Sequence, residues 1–183
     1  MNHEIIIPEA VMRRARAHLF QNELEQGAFF FASTQEGPAG VQLQVSDCYL
    51  VPPTGWDVQL DIYLQMNDAE RGRILKLARD RGCVLIDSHS HPGAGSDVWF
   101  SPSDLAGISD FAPYVRWKLG PKPFAALVWG EDSVDGVVWP GNTSFPQALT
   151  RIVINGANNQ ELRPTGSWFS TRPAWNRYEH THE

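Results

Sequence analysis

Cysteine is scarce in this chain. Two cysteines, Cys48 and Cys83, occur among 183 residues. That is too few for a disulfide framework or a tetracysteine zinc site, and it suits a reducing compartment. Positive charge is also short. Lys and Arg number 15 against 21 Asp and Glu, giving a formal net charge of −6. That argues against the basic stripe of a nucleic-acid-binding surface, and no nucleic-acid partner is expected. No run approaches the roughly 18 apolar residues that cross a bilayer. The opening residues lack a basic region followed by a long apolar stretch, so neither a membrane segment nor a secretory signal is expected. A cytoplasmic location is the default expectation. Internal repeats and low-complexity tracts are missing too.

What is present is ordinary for a globular domain, with 42% hydrophobic and 20% charged residues. A chain of this length can bury a core without staples. It has six histidines. His3, His180 and His182 lie near a terminus, and His18 flanks a helical stripe as a packing or surface residue. His89 and His91 remain as the place for histidine chemistry.

Periodicity predicts the elements. Glu4 to Ile7 is a β-branched run ending at Pro8, which suits a first helical turn. Val11, Met12, Ala15 and Leu19 then recur at spacings of three and four, predicting an amphipathic helix from Glu9 to about Gln21. Phe29 to Phe31 reads as a strand, with the alternating Val41–Val51 as its neighbour. Val58 to Met66 alternates again and reads as one strand. Asn67 with Glu70 resembles a capping box, opening a helix that stops near Gly82. Cys83 to Ile86 is a short apolar strand running into Asp87-Ser88-His89-Ser90-His91-Pro92. Ser101-Pro102-Ser103-Asp104 opens another helix. Phe124–Trp129 and Val134–Trp139 form a hairpin, and Arg151 to Ile154 reads as one more strand. Cys48 and Cys83 are expected to be inert strand or core residues. The seven tryptophans are expected in the core, except that Trp99, with Phe100, falls where it could line a groove.

Residues two apart on a strand share a side. His89 and His91 therefore present two imidazoles roughly 6.6 Å apart, a gap that side chains can close onto one ion. Asp87 shares their parity but lies roughly 13 Å from His91 along an extended strand. Asp104 is the better third ligand. A bare His-x-His is more often a surface or hydrogen-bonded pair. Asp104 has a bland role as well: Ser101 is a good N-cap, Pro102 suits the first helical position, and a first-turn carboxylate favours the helix dipole. The two roles are compatible, because Ser101 and Asp104 are three apart and share a helix face.

His89-Ser90-His91-Pro92 followed by Ser101-Pro102-Ser103-Asp104 resembles the JAMM (MPN+, JAB) metalloprotease motif. Glu25-Gln26-Gly27-Ala28-Phe29-Phe30-Phe31-Ala32 resembles the family's glutamate strand, with Ala28 and Ala32 where glycines are usual. Glu23 has the same parity and rivals Glu25. The loop from Pro92 to Ser101 is about two residues longer than the common form, an excess that Gly93-Ala94-Gly95 can absorb. The resemblance covers roughly residues 4 to 142. It implies an α/β (α+β) fold, a mixed central sheet flanked by helices in the cytidine-deaminase-like MPN architecture. It also implies a catalytic domain over 1–142 and a C-terminal extension of unknown role over 143–183.

The function so implied is a zinc isopeptidase or peptidase. His89, His91 and Asp104 would bind Zn²⁺. Glu25 would serve as general base and then acid, and Ser101 as the oxyanion donor. The implied partner is a ubiquitin-like protein, cut after its C-terminal glycine in deconjugation or maturation. The diverged strand and long loop look more like prokaryotic JAB proteins, some of which act in antiphage systems. Three alternatives stay open: a metalloprotease processing a sulfur-carrier protein or a cell-wall peptide, a non-catalytic MPN scaffold, and a binding module with a structural zinc.

Overall fold

Alternating burial sets the architecture. In the strand Gly27–Gly37 the rings of Phe29 and Phe31 face one way, with Ala28, Phe30 and Ala32 on the other side. The computed structural model describes residues 1–141 and 143–166. Trp168, Trp175, His180 and His182 lie outside the described residues.

The strands, in chain order, are β1 (Glu4–Pro8), β2 (Gly27–Gly37), β3 (Gly40–Leu50), β4 (Trp56–Gln59), β5 (Leu64–Met66), β6 (Val84–Ser90), β7 (Phe124–Trp129), β8 (Val134–Trp139), β9 (Gln147–Ala148), β10 (Arg151–Asn155) and β11 (Gln160–Leu162). The helices are α1 (Glu9–Leu19), α2 (Asp68–Asp80) and α3 (Pro102–Leu119). Nine strands form one mixed sheet in the order β11-β10-β1-β3-β2-β6-β7-β8-β9, and β4 and β5 pair separately. The β1–β3, β1–β10 and β6–β7 pairs are parallel.

The fold is thus a mixed α+β sheet flanked by helices. Helix α1 buries Met12, Ala15 and Leu19 on the face carrying Ile5, Phe30 and Ile86. Helices α2 and α3 cover the opposite face, with Ile74, Leu75, Leu105 and Ile108 against Phe29, Phe31 and Leu85. The sites discussed below lie on this second face.

Local chemistry explains the helix starts. Asn67 caps α2, its Oδ1 accepting from the Glu70 amide at 2.9 Å. The reciprocal half of the expected capping box is replaced: the buried Glu70 carboxylate accepts the Tyr49 hydroxyl instead. Helix α3 carries a full capping box between Ser101 and Asp104.

Three expectations change. Val58–Met66 is not one strand but the β4–β5 hairpin, reversed where the Leu60 amide donates to the Tyr63 carbonyl at 2.9 Å. Cys83, expected to open a strand in the core, precedes β6 and is only partly buried, whereas Cys48 is buried within β3. His3, set aside as terminal, is 2% exposed; its Nδ1 accepts from the Val41 amide at 3.1 Å, and its Nε2 lies 2.7 Å from Gln147 Oε1. The sheet also continues past residue 142. Strand β10 adds beside β1, placing Ile152 and Ile154 in the core shared with α1.

Candidate metal centre

The site grows from strand parity. On β6, Ser88 and Ser90 face the α1 side of the sheet, and both are fully buried. Ser88 Oγ accepts the Trp129 indole N–H at 2.8 Å, and Ser90 Oγ accepts the Gln26 amide at 3.1 Å. Asp87 and His89 face the other way. Pairing with β2 sets His89 opposite Gly27 and Asp87 opposite Phe29. His91 lies one residue past β6 and stays in line with it, because its amide donates to the Trp129 carbonyl at 2.8 Å.

The two imidazoles meet edge to face, with ring centroids 5.0 Å apart. Asp104 reaches both, at 3.4 Å from its Oδ1 to His89 Nε2 and 3.2 Å from its Oδ2 to His91 Nε2. One ligand atom from each of His89, His91 and Asp104 lies within 4.8 Å of the others, so the group could hold a metal ion. Asp87 stays outside this group, as the strand arithmetic requires. Asp104 serves its helix as well, for the Ser101 amide donates to its Oδ2 at 2.6 Å.

Glu25 lies two residues before β2 and is 3% exposed. Its Oε1 lies 3.3 Å from His91 Nε2. The β4–β5 hairpin fixes its backbone: the Glu25 amide donates to the Leu60 carbonyl at 3.0 Å, and Gln59 Nε2 donates to the Glu25 carbonyl at 2.9 Å. The rival Glu23 is exposed, and the strand parity that favoured it does not apply, since β2 begins only at Gly27. Ser101 caps α3; its Oγ accepts the Asp104 amide at 3.2 Å and lies 2.8 Å from Ser103 Oγ.

Electrostatics follow from crowding these groups out of water. Burial pushes Glu25 above the usual carboxylate range, against the pull of His89 and His91. Burial also raises Asp87, to about 6. At His89 burial opposes the charged form, but Asp104, Asp87 and Glu25 outweigh it and push the imidazole up to about 9. At Asp104 burial opposes ionisation, but His89 and His91 hold the carboxyl well below the usual range. Among the described residues, the Nε2 atoms of His89 and His91 are buried without a hydrogen-bond partner. Their Asp104 contacts are ion-pair distances rather than aligned hydrogen bonds. Imidazole nitrogens left open beside a carboxylate suit a divalent cation.

The ligand loop is pinned from two sides. Gly93 takes the left-handed conformation, with φ of 82°. The Ala94 carbonyl accepts the Glu131 amide at 2.7 Å, and the Gly95 carbonyl accepts Ser133 Oγ at 2.6 Å. Thr165 Oγ1 donates to the Val98 carbonyl at 2.8 Å, so the segment after β11 returns to this loop. Of the two aromatics there, Trp99 is 57% exposed, whereas Phe100 is buried with its ring centroid 6.1 Å from that of His89. Phe100 therefore packs against His89 instead of lining an open groove.

A cavity of about 150 Å³ opens beside this group, with His89 and Asp104 in its wall. Most of its other lining escaped sequence reasoning. Trp56 was expected only as a core residue, and its indole packs over Gly27, where an added Cβ would sit 2.5 Å from Trp56 Cη2. Glycine opposite His89 was the available signal.

Fold and site together define a mixed α+β protein with a His-His-Asp group able to hold a metal. No family model matches the chain, and no curated protein does. Among solved structures the chain is similar to the Trichoplax adhaerens STIL N-terminal domain, at 15% identity and a TM-score of 0.39. That match covers 73% of this chain and 42% of the other, so the chain spans less than half the length of the structure it matches. A likeness this weak carries no functional argument. Among the described residues, no helix is long and apolar enough to cross a membrane.

Proposed function

We propose that the chain is a zinc-dependent isopeptidase or peptidase of the JAMM/MPN+ type, with an MPN-like sheet. Its substrate would be a ubiquitin-like protein, cut after the C-terminal glycine. The observation that carries this reading is the meeting of four separated residues. Two histidines from one strand end, a carboxylate from a helix start and a buried glutamate from before β2 converge within ion-pair distances. The open imidazole nitrogens, with no cysteine in the group, fit zinc with room for a non-protein ligand.

Bound zinc would supply an activated water and polarise the scissile carbonyl. The chain's own residues supply the rest. Glu25 accepts a proton from the attacking water at a carboxylate oxygen and returns it to the leaving amine, a role that its raised pKa suits. Asp104 and the two histidines would hold the ion, and the α3 capping box fixes the carboxylate. The Ser101 hydroxyl donates to the developing oxyanion. A bacterial cytoplasmic setting and an antiphage role are part of the same reading and rest on the motif resemblance alone. Against a non-catalytic scaffold stands the complete ligand set with a buried carboxylate beside it. Against a closed structural zinc stands the lack of a fourth protein ligand in the group found among the described residues.

The test is zinc content together with cleavage of a ubiquitin-like fusion, with and without chelator. One equivalent of zinc and chelator-sensitive cleavage after glycine are expected. Stoichiometric zinc without hydrolysis of any Gly-Gly-tailed substrate would overturn the reading.

A further inference from the structure

Residues 92–103 join His91 to Asp104, so the path of this segment sets how the two side chains meet. Val98 sits near its middle. It is 1% exposed, in the core cluster that also holds Phe100 and Leu105. Val98 lies in neither a helix nor a strand, so no ladder pairs its main chain. Buried main-chain groups need partners all the same. Two hydroxyls from elsewhere supply them. The Val98 amide donates to Ser133 Oγ at 3.0 Å, and the Val98 carbonyl accepts from Thr165 Oγ1 at 2.8 Å. Ser133 belongs to the turn between β7 and β8. Thr165 comes after β11, in the part of the chain beyond the recognised motif.

Thr165 is itself fastened to the sheet. Its amide donates to the Val134 carbonyl at 3.0 Å, and the Gly166 amide donates to Asp135 Oδ1 at 2.9 Å. Asp135 is fully buried on β8, and the same oxygen accepts the Gly136 amide at 2.8 Å. A buried carboxylate is costly to place unless such bonds are made. Gly166 meets it in the left-handed region, with φ of 77°, where glycine carries no penalty. From Val98 the route to the candidate centre is short. The Phe100 ring, two residues on, packs 6.1 Å from that of His89. Ser101, three residues on, caps α3 and donates its amide to Asp104 Oδ2 at 2.6 Å.

We infer that Thr165 is a positioning residue for the metal centre: the segment 163–166 clasps Val98 and so holds His91 and Asp104 at the spacing that accepts an ion. Pinning the middle of a flexible connection lowers the entropy lost when its ends are brought together. The inference rests on the metal-binding part of the proposed function and not on the peptidase part. It also gives the chain after β11 a task at a site formed by residues far from it in sequence.

The test is metal affinity in the full chain. Thr165→Val keeps the branched shape and removes the hydroxyl, and Thr165 is exposed, so the variant should fold. Its Kd for zinc, read by competition with a chromogenic chelator, should rise about 10–100-fold, the range that follows loss of groups orienting ligands. Thr165→Ser keeps the hydroxyl and should bind zinc as the wild type does. Visible absorption of the Co²⁺-loaded protein adds a readout that lowered stability alone does not move. Thr165→Val should shift the cobalt bands, and Thr165→Ser should restore them. Ser88→Ala is the stability control, since it weakens the other side of the sheet and leaves the clasp intact.

A wild-type Kd and cobalt spectrum in Thr165→Val would overturn the positioning role. Equal weakening in Thr165→Ser or in Ser88→Ala would overturn it too, because stability would then account for the effect. Zinc-loaded protein that cleaves no Gly-Gly-tailed substrate overturns the peptidase reading and leaves this one standing. Wild-type protein that takes up no zinc overturns both.

Discussion

The two faces of β6 differ in how their polar groups are satisfied. On one face Ser88 and Ser90 are completely buried, yet each hydroxyl accepts a hydrogen bond, from the Trp129 indole and the Gln26 amide. On the other face His89, and His91 beyond the strand, keep buried Nε2 atoms that find no hydrogen bond among the described residues. Buried polar groups in folded proteins are nearly always paired. The serine face obeys that rule and ties sheet strands together. The histidine face breaks it at two neighbouring atoms, both within ion-pair distance of one carboxylate. Pairing within the protein accounts for the first face; the second leaves a group that could hold a metal ion.

The largest effect that would test this contrast is on turnover. Glu25→Gln should retain zinc and lose about 10²–10⁴-fold in kcat, the usual range for a positioned acid–base group. Wild-type turnover in that variant would remove Glu25 from the mechanism, and loss of zinc would make it a ligand.

Next comes the metal itself. Changes to residues that merely orient ligands cost about 10–100-fold in affinity, so Asp104→Ala should exceed that range. Competition with a chromogenic chelator measures it. Unchanged affinity would show that Asp104 only caps α3.

The serine face should respond in stability and not in metal. Ser88→Ala leaves the Trp129 N–H unpaired in the core and should cost about 1–3 kcal/mol. Urea melts read the loss while zinc content stays at the wild-type value. If zinc fell in step with stability, the two faces would not be independent.

The last effect is a reversal of pH trends, spread over several pH units. With His89 raised from 6.5 to about 9, the metal-free fold binds its proton more tightly than the unfolded chain does. That contribution is present below 6.5 and is lost as pH rises through about 9. Asp87, raised from 3.8 to about 6, acts in the same sense over its own lower window. Asp104 acts oppositely, its contribution being lost as pH falls below the ordinary carboxylate value. Chelated protein should therefore lose stability towards alkaline pH, by up to about 1.4 kcal/mol per pH unit. Metal affinity should move the other way, weakening below about pH 9 as protons compete for His89. Parallel trends in melts and metal titrations would sink this account.

Much of the fold was legible where local pattern and tertiary context agree. The Phe124–Trp129 and Val134–Trp139 hairpin appears with the expected bounds, because its strands are neighbours in sequence. The α3 start was legible because Ser101, Pro102 and Asp104 act within one turn. The β4–β5 reversal was not, since Leu60 to Tyr63 contains no glycine or proline to signal a turn. It is held partly from outside, by the Glu25 amide on the Leu60 carbonyl. The pairing of β1 with β10 was also hidden, because nothing local in Glu4–Pro8 specifies a partner some 150 residues later.

By itself the sequence determined which chemistry was possible. Two cysteines leave histidine and carboxylate as the candidate metal ligands, strand parity sets His89 and His91 on one side, and a capping motif places Asp104 in a first helical turn. Each of these acts over a few residues, through backbone geometry that the chain carries locally. Tertiary structure alone decided that Asp104 meets both imidazoles, that Glu25 and not Glu23 lies beside them, and that a cavity lined by Trp56 adjoins the pair. Those outcomes depend on sheet order and on helix packing across the sheet, where groups far apart in the chain are desolvated together.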